Sequence, residues 1–279
     1  MCKILVLNLT AMLILSMAIT LKAETNDIQS TNKNIVSITC ADNILTLNEP
    51  LVIVFRAFNP LTETLQIDLG FDRKGGFQYI LIKPDGSKTV LENQRQGGIS
   101  REGVVTVRPG EAYSQLLVIN EWHEFSAPGI YVLEVRIVNP IKTQMGQSIE
   151  SLSDFRFEVE IQPRNEKRLI DKCEKLLTLI RSASSHSEAA GPAYILSHVE
   201  DKIAISYLTQ LFTLPVMVEH FAIDGLARIG DQEATNALIF SLKLLPRDML
   251  FVAQHALLEI YAKSNNSTIK NAIRQATSQ

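Results

Sequence analysis

The chain has 279 residues, 46% of them hydrophobic, with 27 basic and 30 acidic side chains and a net charge of −3. That length and apolar content are enough for one large or two ordinary folded domains. The mild acidity excludes a nucleic-acid binder, which needs a concentrated basic face.

The first residues stand apart from the rest. Lys3 supplies a positive start, Ile4 to Leu21 carry no charge, and Lys22-Ala23-Glu24 turns abruptly polar. This is the layout of a secretory signal peptide over residues 1–23, with Ala23 before the cut and a flexible segment over 24–34. The alternative is an uncleaved N-terminal anchor, because an apolar stretch of about 18 residues is just long enough to cross a bilayer. Cleavage would remove Lys3 and Lys22 and leave 25 basic against 30 acidic residues, a charge of −5. No later segment is long and apolar enough to insert in a membrane, so the expectation is a secreted or periplasmic protein.

From residue 35 to 162 the apolar residues alternate. Leu51, Ile53 and Phe55 share one face, as do Tyr131, Leu133, Val135 and Ile137, and again Phe155, Phe157, Val159 and Ile161. Arg156, Glu158 and Glu160 fill the gaps of the last run, which marks a strand with one wet face. Turn signals separate the runs: Asn59-Pro60, Lys74-Gly75-Gly76, Pro84-Asp85-Gly86, Pro109-Gly110 and Pro128-Gly129. Short strands punctuated in this way predict an antiparallel β-sandwich. The segments LVIVFRAFNP after Asn48-Glu49-Pro50 and VRPGEAYSQLLVINEWHEFSAPGIYVLEVRI resemble the strands of bacterial immunoglobulin-like sandwiches. The resemblance implies an architecture and very little about function.

After Pro163 the apolar period becomes helical: Leu169, Ile170, Cys173, Leu176, Leu177 and Ile180 share a face opposite Lys167, Arg168, Asp171 and Lys175. Residues 181–191, rich in Ser and Ala, read as a loop. Phe221 to Leu242 then reads as a helix, a turn at Gly230-Asp231 and a second helix, since glycine ends helices in the left-handed region and aspartate caps the next one. Leu196, Val199, Asp201, Ala204 and Leu208 stand 30 positions before Leu226, Ile229, Asp231, Ala234 and Leu238, and Leu257 and Ile260 follow by 31. A fixed period of this size predicts stacked helical units. The unit around Gly230-Asp231 resembles a short HEAT repeat of the kind found in phycocyanobilin-lyase relatives. The expected fold class is therefore a two-domain protein, an immunoglobulin-like β-sandwich over 35–162 and a HEAT-like α-helical solenoid over 164–279. Nothing supplies a bilin-attaching thiol or a pocket of its own for a cofactor, so no cofactor is expected.

Matching positions across the units nominates a surface. His198, Arg228 and Glu259 each precede an inward Val or Ile, and Asp224 and His255 occupy an equivalent place one turn earlier. On helices stacked about 8–10 Å apart these residues would form a mixed-charge strip able to hold a protein or peptide, or would be an ordinary solvated face. Beyond the leader, Cys40 and Cys173 could form a disulfide closing more than a hundred residues, worth roughly 5 kcal/mol on the chain-entropy model. The favoured reading is two separate buried thiols, because Cys173 falls on the apolar side of a helix and free cysteine packs like a small hydrophobe.

Catalytic signatures are missing. None of His123, His186, His198, His220 and His255 forms the HExxH pair of zinc hydrolases, and no metal is expected. Neither a Walker A motif, a dinucleotide glycine fingerprint nor a Gly-X-Ser-X-Gly elbow occurs. The expectation is an exported, non-enzymatic binding protein that uses its helical surface. Two alternatives stay open: a protease inhibitor presenting the loop Asn93 to Glu102, and an enzyme with a site between the two parts.

Overall fold

Alternating apolar residues between turn signals produce twelve strands among the described residues, and the helical period after Pro163 produces seven α-helices. The structure, a computed structural model, describes residues 35–70, 74–92, 103–149 and 154–277, with the backbone alone at residue 248. The expected signal peptide and flexible segment over 1–34, and the candidate inhibitory loop over 93–102, lie outside the described residues.

The strands are β1 (Val36–Cys40), β2 (Ile44–Thr46), β3 (Val52–Phe58), β4 (Leu65–Asp68), β5 (Phe77–Ile82), β6 (Lys88–Leu91), β7 (Val104–Val107), β8 (Ala112–Val118), β9 (Gly129–Ile137), β10 (Ile141–Thr143), β11 (Ser148–Ile149) and β12 (Asp154–Gln162). They pair into three sheets, of order β1-β3-β8, β11-β10-β4-β7 and β2-β12-β9-β5-β6. The longest ladder joins β9 and β12 antiparallel, from Gly129 opposite Ile161 to Arg136 opposite Asp154. β2 joins β12 in parallel, with Leu45 opposite Ile161, so an early strand lies beside the last one. Inward side chains of all three sheets, among them Phe55, Ile67, Leu81, Leu133, Ile141 and Val159, fuse into one core. Buried Asn59 ties two sheets together, because its amide donates to the carbonyls of Glu63 at 2.7 Å and Val107 at 2.8 Å while its oxygen accepts from Leu61 N–H.

The helices are α1 (Glu166–Ser182), α2 (His186–Leu196), α3 (Ile205–Gln210), α4 (Glu219–Ile229), α5 (Gln232–Ser241), α6 (Arg247–Lys263) and α7 (Ser267–Thr277). Their starts follow from capping chemistry. Asn165 Oδ1 accepts from Arg168 N–H, the Ser185 side chain from Glu188 N–H, and Asp231 Oδ1 from Ala234 N–H. Gly230, at φ 62°, ends α4 in the left-handed region. Helix α2 lies beside α4 and α4 beside α6, while α3 lies beside α5 and α5 beside α7. Leu196, Leu226 and Leu257 are fully buried in one shared core. Residues 186–191, expected as part of a loop, instead open α2, because the Ser185 side chain accepts from Glu188 N–H and the Glu188 carboxylate reaches back to accept from Ser184 N–H. Among the described residues no helix is long and apolar enough to cross a membrane.

The expected fold class needs correction. The strands do not form a two-sheet immunoglobulin-like sandwich: they divide over three sheets, one of them built from the short strands β4, β7, β10 and β11. The helices bury a core of their own, distinct from that of the strands. Only the coarser order, strands first and helices after, stands. Alternation reports which face of a strand is buried; it carries no information on which strands pair, and so none on the number of sheets.

Candidate functional site

Where strands meet helices, oppositely charged side chains are buried against one another. Glu49, in the turn between β2 and β3, has a side chain 1% exposed. Its carboxylate accepts from Thr46 N–H at 3.1 Å and from Arg168 Nε of α1 at 2.6 Å, and Lys172 lies 3.4 Å away. Lys172 also reaches Asp42 at 3.0 Å. Beside this group, Asp201 accepts from Arg164 Nε at 2.6 Å, from Asn48 Nδ2 at 3.0 Å and from Ile203 N–H at 3.1 Å. Burial alone would raise the Asp201 carboxyl, but those hydrogen bonds outweigh it and hold it down at about 2. Thr46 completes the joint: its hydroxyl donates to Pro163 O at 2.6 Å and accepts from Asn165 N–H at 2.7 Å.

A second buried cluster centres on His198. Lys74 Nζ is 2.7 Å from Glu121 Oε2 and donates to the Tyr194 hydroxyl at 2.9 Å. His198 is 1% exposed; its Nδ1 lies 2.8 Å from Tyr194 O, and its Nε2 lies 3.1 Å from Arg228 Nη2. A carbonyl can only accept and a guanidinium can only donate, so the hydrogen-bond pattern assigns the proton to Nδ1 and the lone pair to Nε2. Burial, reinforced by the Arg228 charge, lowers the imidazole to about 3, so His198 is neutral. The 3.7 Å approach of Glu121 Oε1 to Nε2 is therefore no ion pair. Nearby, the Tyr79 ring stacks on Trp122 at 4.7 Å, and burial followed by the Glu121 charge raises its hydroxyl well above the ordinary range. A histidine held at both nitrogens is a poor general base, since its lone pair already faces a cation. These two clusters join the strands to the helices.

Next to them, Asn48, Arg164, Glu200, Asp201, Ile229 and Asp231 line an open polar depression of about 470 Å³. Arg164 and Asp201 bond to each other across it, and burial raises the Glu200 carboxyl against the pull of Arg228.

The nominated strip divides. His198 and Arg228 meet in the seam, whereas His255 and Glu259 sit exposed on α6, 3.4 Å apart, with Lys263 3.7 Å from Glu259. Asp224 is exposed on α4. Among the described residues no hydrogen bond or ion pair joins His198 or Arg228 to His255 or Glu259. The division arises because His198 lies past the end of α2, where Ser197 caps the helix and the ring turns inward. Cys40 and Cys173 are free thiols, pushed up by burial to about 11 and about 12 respectively.

Sequence reasoning missed the outer face of α6, where Phe251 is 74% and Leu258 55% exposed. A signal was present: the run Met249-Leu250-Phe251-Val252-Ala253 cannot all face inward on a 3.6-residue period. Inward positions go to Ala253, Ala256, Leu257 and Ile260, which leaves Phe251 and Leu258 outside.

No family model and no curated protein matches the sequence. Solved structures give weak likenesses. A structural-genomics target, SoR45, has a TM-score of 0.28 at 11% identity, covering 47% of this chain and 90% of its own. A β-glucosidase from Listeria innocua in complex with glucose has a TM-score of 0.25 at 14% identity, over 50% of this chain and 20% of its own. Spo0M, a sporulation control protein from Bacillus subtilis, has a TM-score of 0.25 at 10% identity, over 51% and 54%. The chain thus spans a fifth of the β-glucosidase and about half of Spo0M, and likenesses at these scores establish neither fold nor function.

Proposed function

We propose that the chain is an exported, non-enzymatic binding protein that docks a protein or peptide segment on the outer face of α6. The reading rests on one observation: Phe251 and Leu258, two turns apart on one helix face, are left 74% and 55% exposed. His255 lies between them, and Glu259 borders the same face. Isolated exposed apolar residues are ordinary, but two large ones aligned on a helix present a stripe that another apolar surface can cover. Covering each would contribute about 1.5–3 kcal/mol, the scale of an interface anchor. The uncharged run Ile4 to Leu21 behind Lys3 supports export, and the polar rim of His255 and Glu259 fits a peptide or protein contact.

The test compares the full chain with the double substitution Phe251→Ser and Leu258→Ser as bait in envelope extracts, with Ile130→Ser, an exposed apolar site on β9, as control. Recovery of a partner by the parent and the control, reduced at least tenfold by the double variant at unchanged melting temperature, is expected. Equal recovery by all three baits would remove the α6 face from the account.

A further inference from the structure

The strand half carries a feature that does not depend on α6. In the sheet of order β2-β12-β9-β5-β6, Tyr79, Leu81, Leu91 and Leu133 point into the strand core. Alternation therefore sends Ile80, Ile82, Val90, Ile130 and Val132 to the opposite face, where an antiparallel sheet with one wet side ordinarily carries polar residues. The ladders make these side chains neighbours: Val132 lies opposite Ile82 and Ile80 opposite Val90, with Ile130 two positions before Val132. Val90 is 52% and Ile130 54% exposed, while the others are half-buried. Adjoining aliphatic residues on three strands form a patch, which scattered exposed residues do not. The charges at its borders say what covers it. One row of the register runs Glu158, Val132, Ile82, Lys88 across β12, β9, β5 and β6. Glu158 and Lys88 are exposed, and neither has an ion pair or side-chain hydrogen bond among the described residues. The next row runs Arg156, Glu134, Ile80, Val90, and there Arg156 and Glu134 already pair at 3.2 Å.

We infer that this face is an interface between two copies of the chain, packed sheet on sheet about a two-fold axis that runs along the strands between β9 and β5. Such an axis keeps each row in place and reverses the order of the strands, so the same patch meets itself. Val132 then lies against Ile82 of the second copy, and Ile82 against Val132 of the second copy. The same operation sets Glu158 against Lys88 of the second copy, and does so twice. Facing sheets lie about 10 Å apart, a gap that glutamate and lysine side chains span from opposite sides. In the next row Ile80 and Val90 meet the stems of Glu134 and Arg156, whose charges are already neutralised within their own copy. Charge complementarity commits the occupant. The order acid, aliphatic, aliphatic, base is its own complement under this axis, and an unrelated partner would have no need of it.

The experiment is sedimentation equilibrium of the purified full chain over a range of concentrations, at low salt so that the border charges are not screened. The parent is expected to form dimers. Ile82→Lys, on the outward side of β5, should weaken association by about tenfold or more at an unchanged melting temperature. Glu158→Lys and Lys88→Glu should each weaken it by roughly fivefold, since each brings like charges face to face, and the double exchange should return it to within about twofold of the parent. A second charge change would not repair a folding defect, so that recovery reports the contact itself. A parent that stays monomeric, an Ile82→Lys variant that associates as the parent does, or a double exchange no better than the single ones would overturn the interface. Dimers lost in the Phe251→Ser and Leu258→Ser double variant but kept in Ile82→Lys would overturn it as well, by moving the contact to α6.

Discussion

His198, buried beside Arg228, resists protonation near neutral pH and so makes the fold acid-sensitive, with a contribution of the same sign from His123, which burial also lowers. The His198 imidazole titrates near 3 in the folded chain because it is buried beside Arg228, against an ordinary value of 6.5. Between those two values the unfolded chain binds a proton that the folded chain does not. The stability contribution is therefore complete above about pH 6.5 and declines as pH falls, by at most about 1.4 kcal/mol per pH unit. Asp201, held at about 2, contributes above its ordinary 3.8 and is lost only below that, outside the window. Urea midpoints at pH 7.5 and 5.5 should fall in the parent, and the fall should be smaller in His198→Gln, which keeps a polar side chain but cannot titrate. Equal falls in both proteins would show that His198 carries no such linkage. The sequence placed this residue on a helix surface, one position from the inward Val199. Periodicity holds only inside a helix, and Leu196 is the last residue of α2.

At the scale of the element, most helix ends were legible because their signals are local. Gly230 and Asp231 form the turn that their chemistry demands, and the apolar stripe of α1 buries Leu169, Cys173, Leu176, Leu177 and Ile180 as its spacing requires. Helix α2 was only partly legible, since Gly191-Pro192 reads as a breaker. Glycine before proline removes the Cβ that would clash with the proline ring, so the helix continues through it. Gly225 carried no sequence signal at all. A Cβ added there would meet the Leu208 methyls at 2.9 Å and the Ser197 Cα at 3.0 Å, so α4 lies close against α3 and the end of α2 only because this side chain is absent. Leu208 could shift, but the Ser197 backbone is fixed by Ala193 O above it. Gly225→Ala should therefore cost about 1–3 kcal/mol despite its better helix propensity. A urea midpoint equal to or above that of the parent would show that the packing there yields.

For the whole molecule, the decisive contacts are those no local pattern reveals. Glu49 and Arg168 are 119 positions apart, and Lys74 and Glu121 are 47 apart; nothing in either neighbourhood marks them as partners. The change of period at Pro163 marks where the strand core ends and the helix core begins, but it says nothing of the ion pairs that tie the two together. Because β2, the turn after it and α1 share the Glu49 cluster, strands and helices should unfold together. The protein offers two separable probes. Its single tryptophan, Trp122, packs on Tyr79 in the strand half, while far-ultraviolet dichroism at the helical minimum follows the other half. Denaturation curves from both should coincide in the parent. Arg168→Met removes the closest cation from a carboxylate whose side chain is 1% exposed, leaving Lys172 at 3.4 Å as its charged partner among the described residues. Removing one partner of a buried pair costs about 3–5 kcal/mol, and Lys172 should hold the loss near the lower end. Both probes should move to lower denaturant by the same amount. A dichroism midpoint that falls while Trp122 fluorescence stays in place would mean that the strand core and the helix core unfold independently and that the ion pairs between them do not couple them.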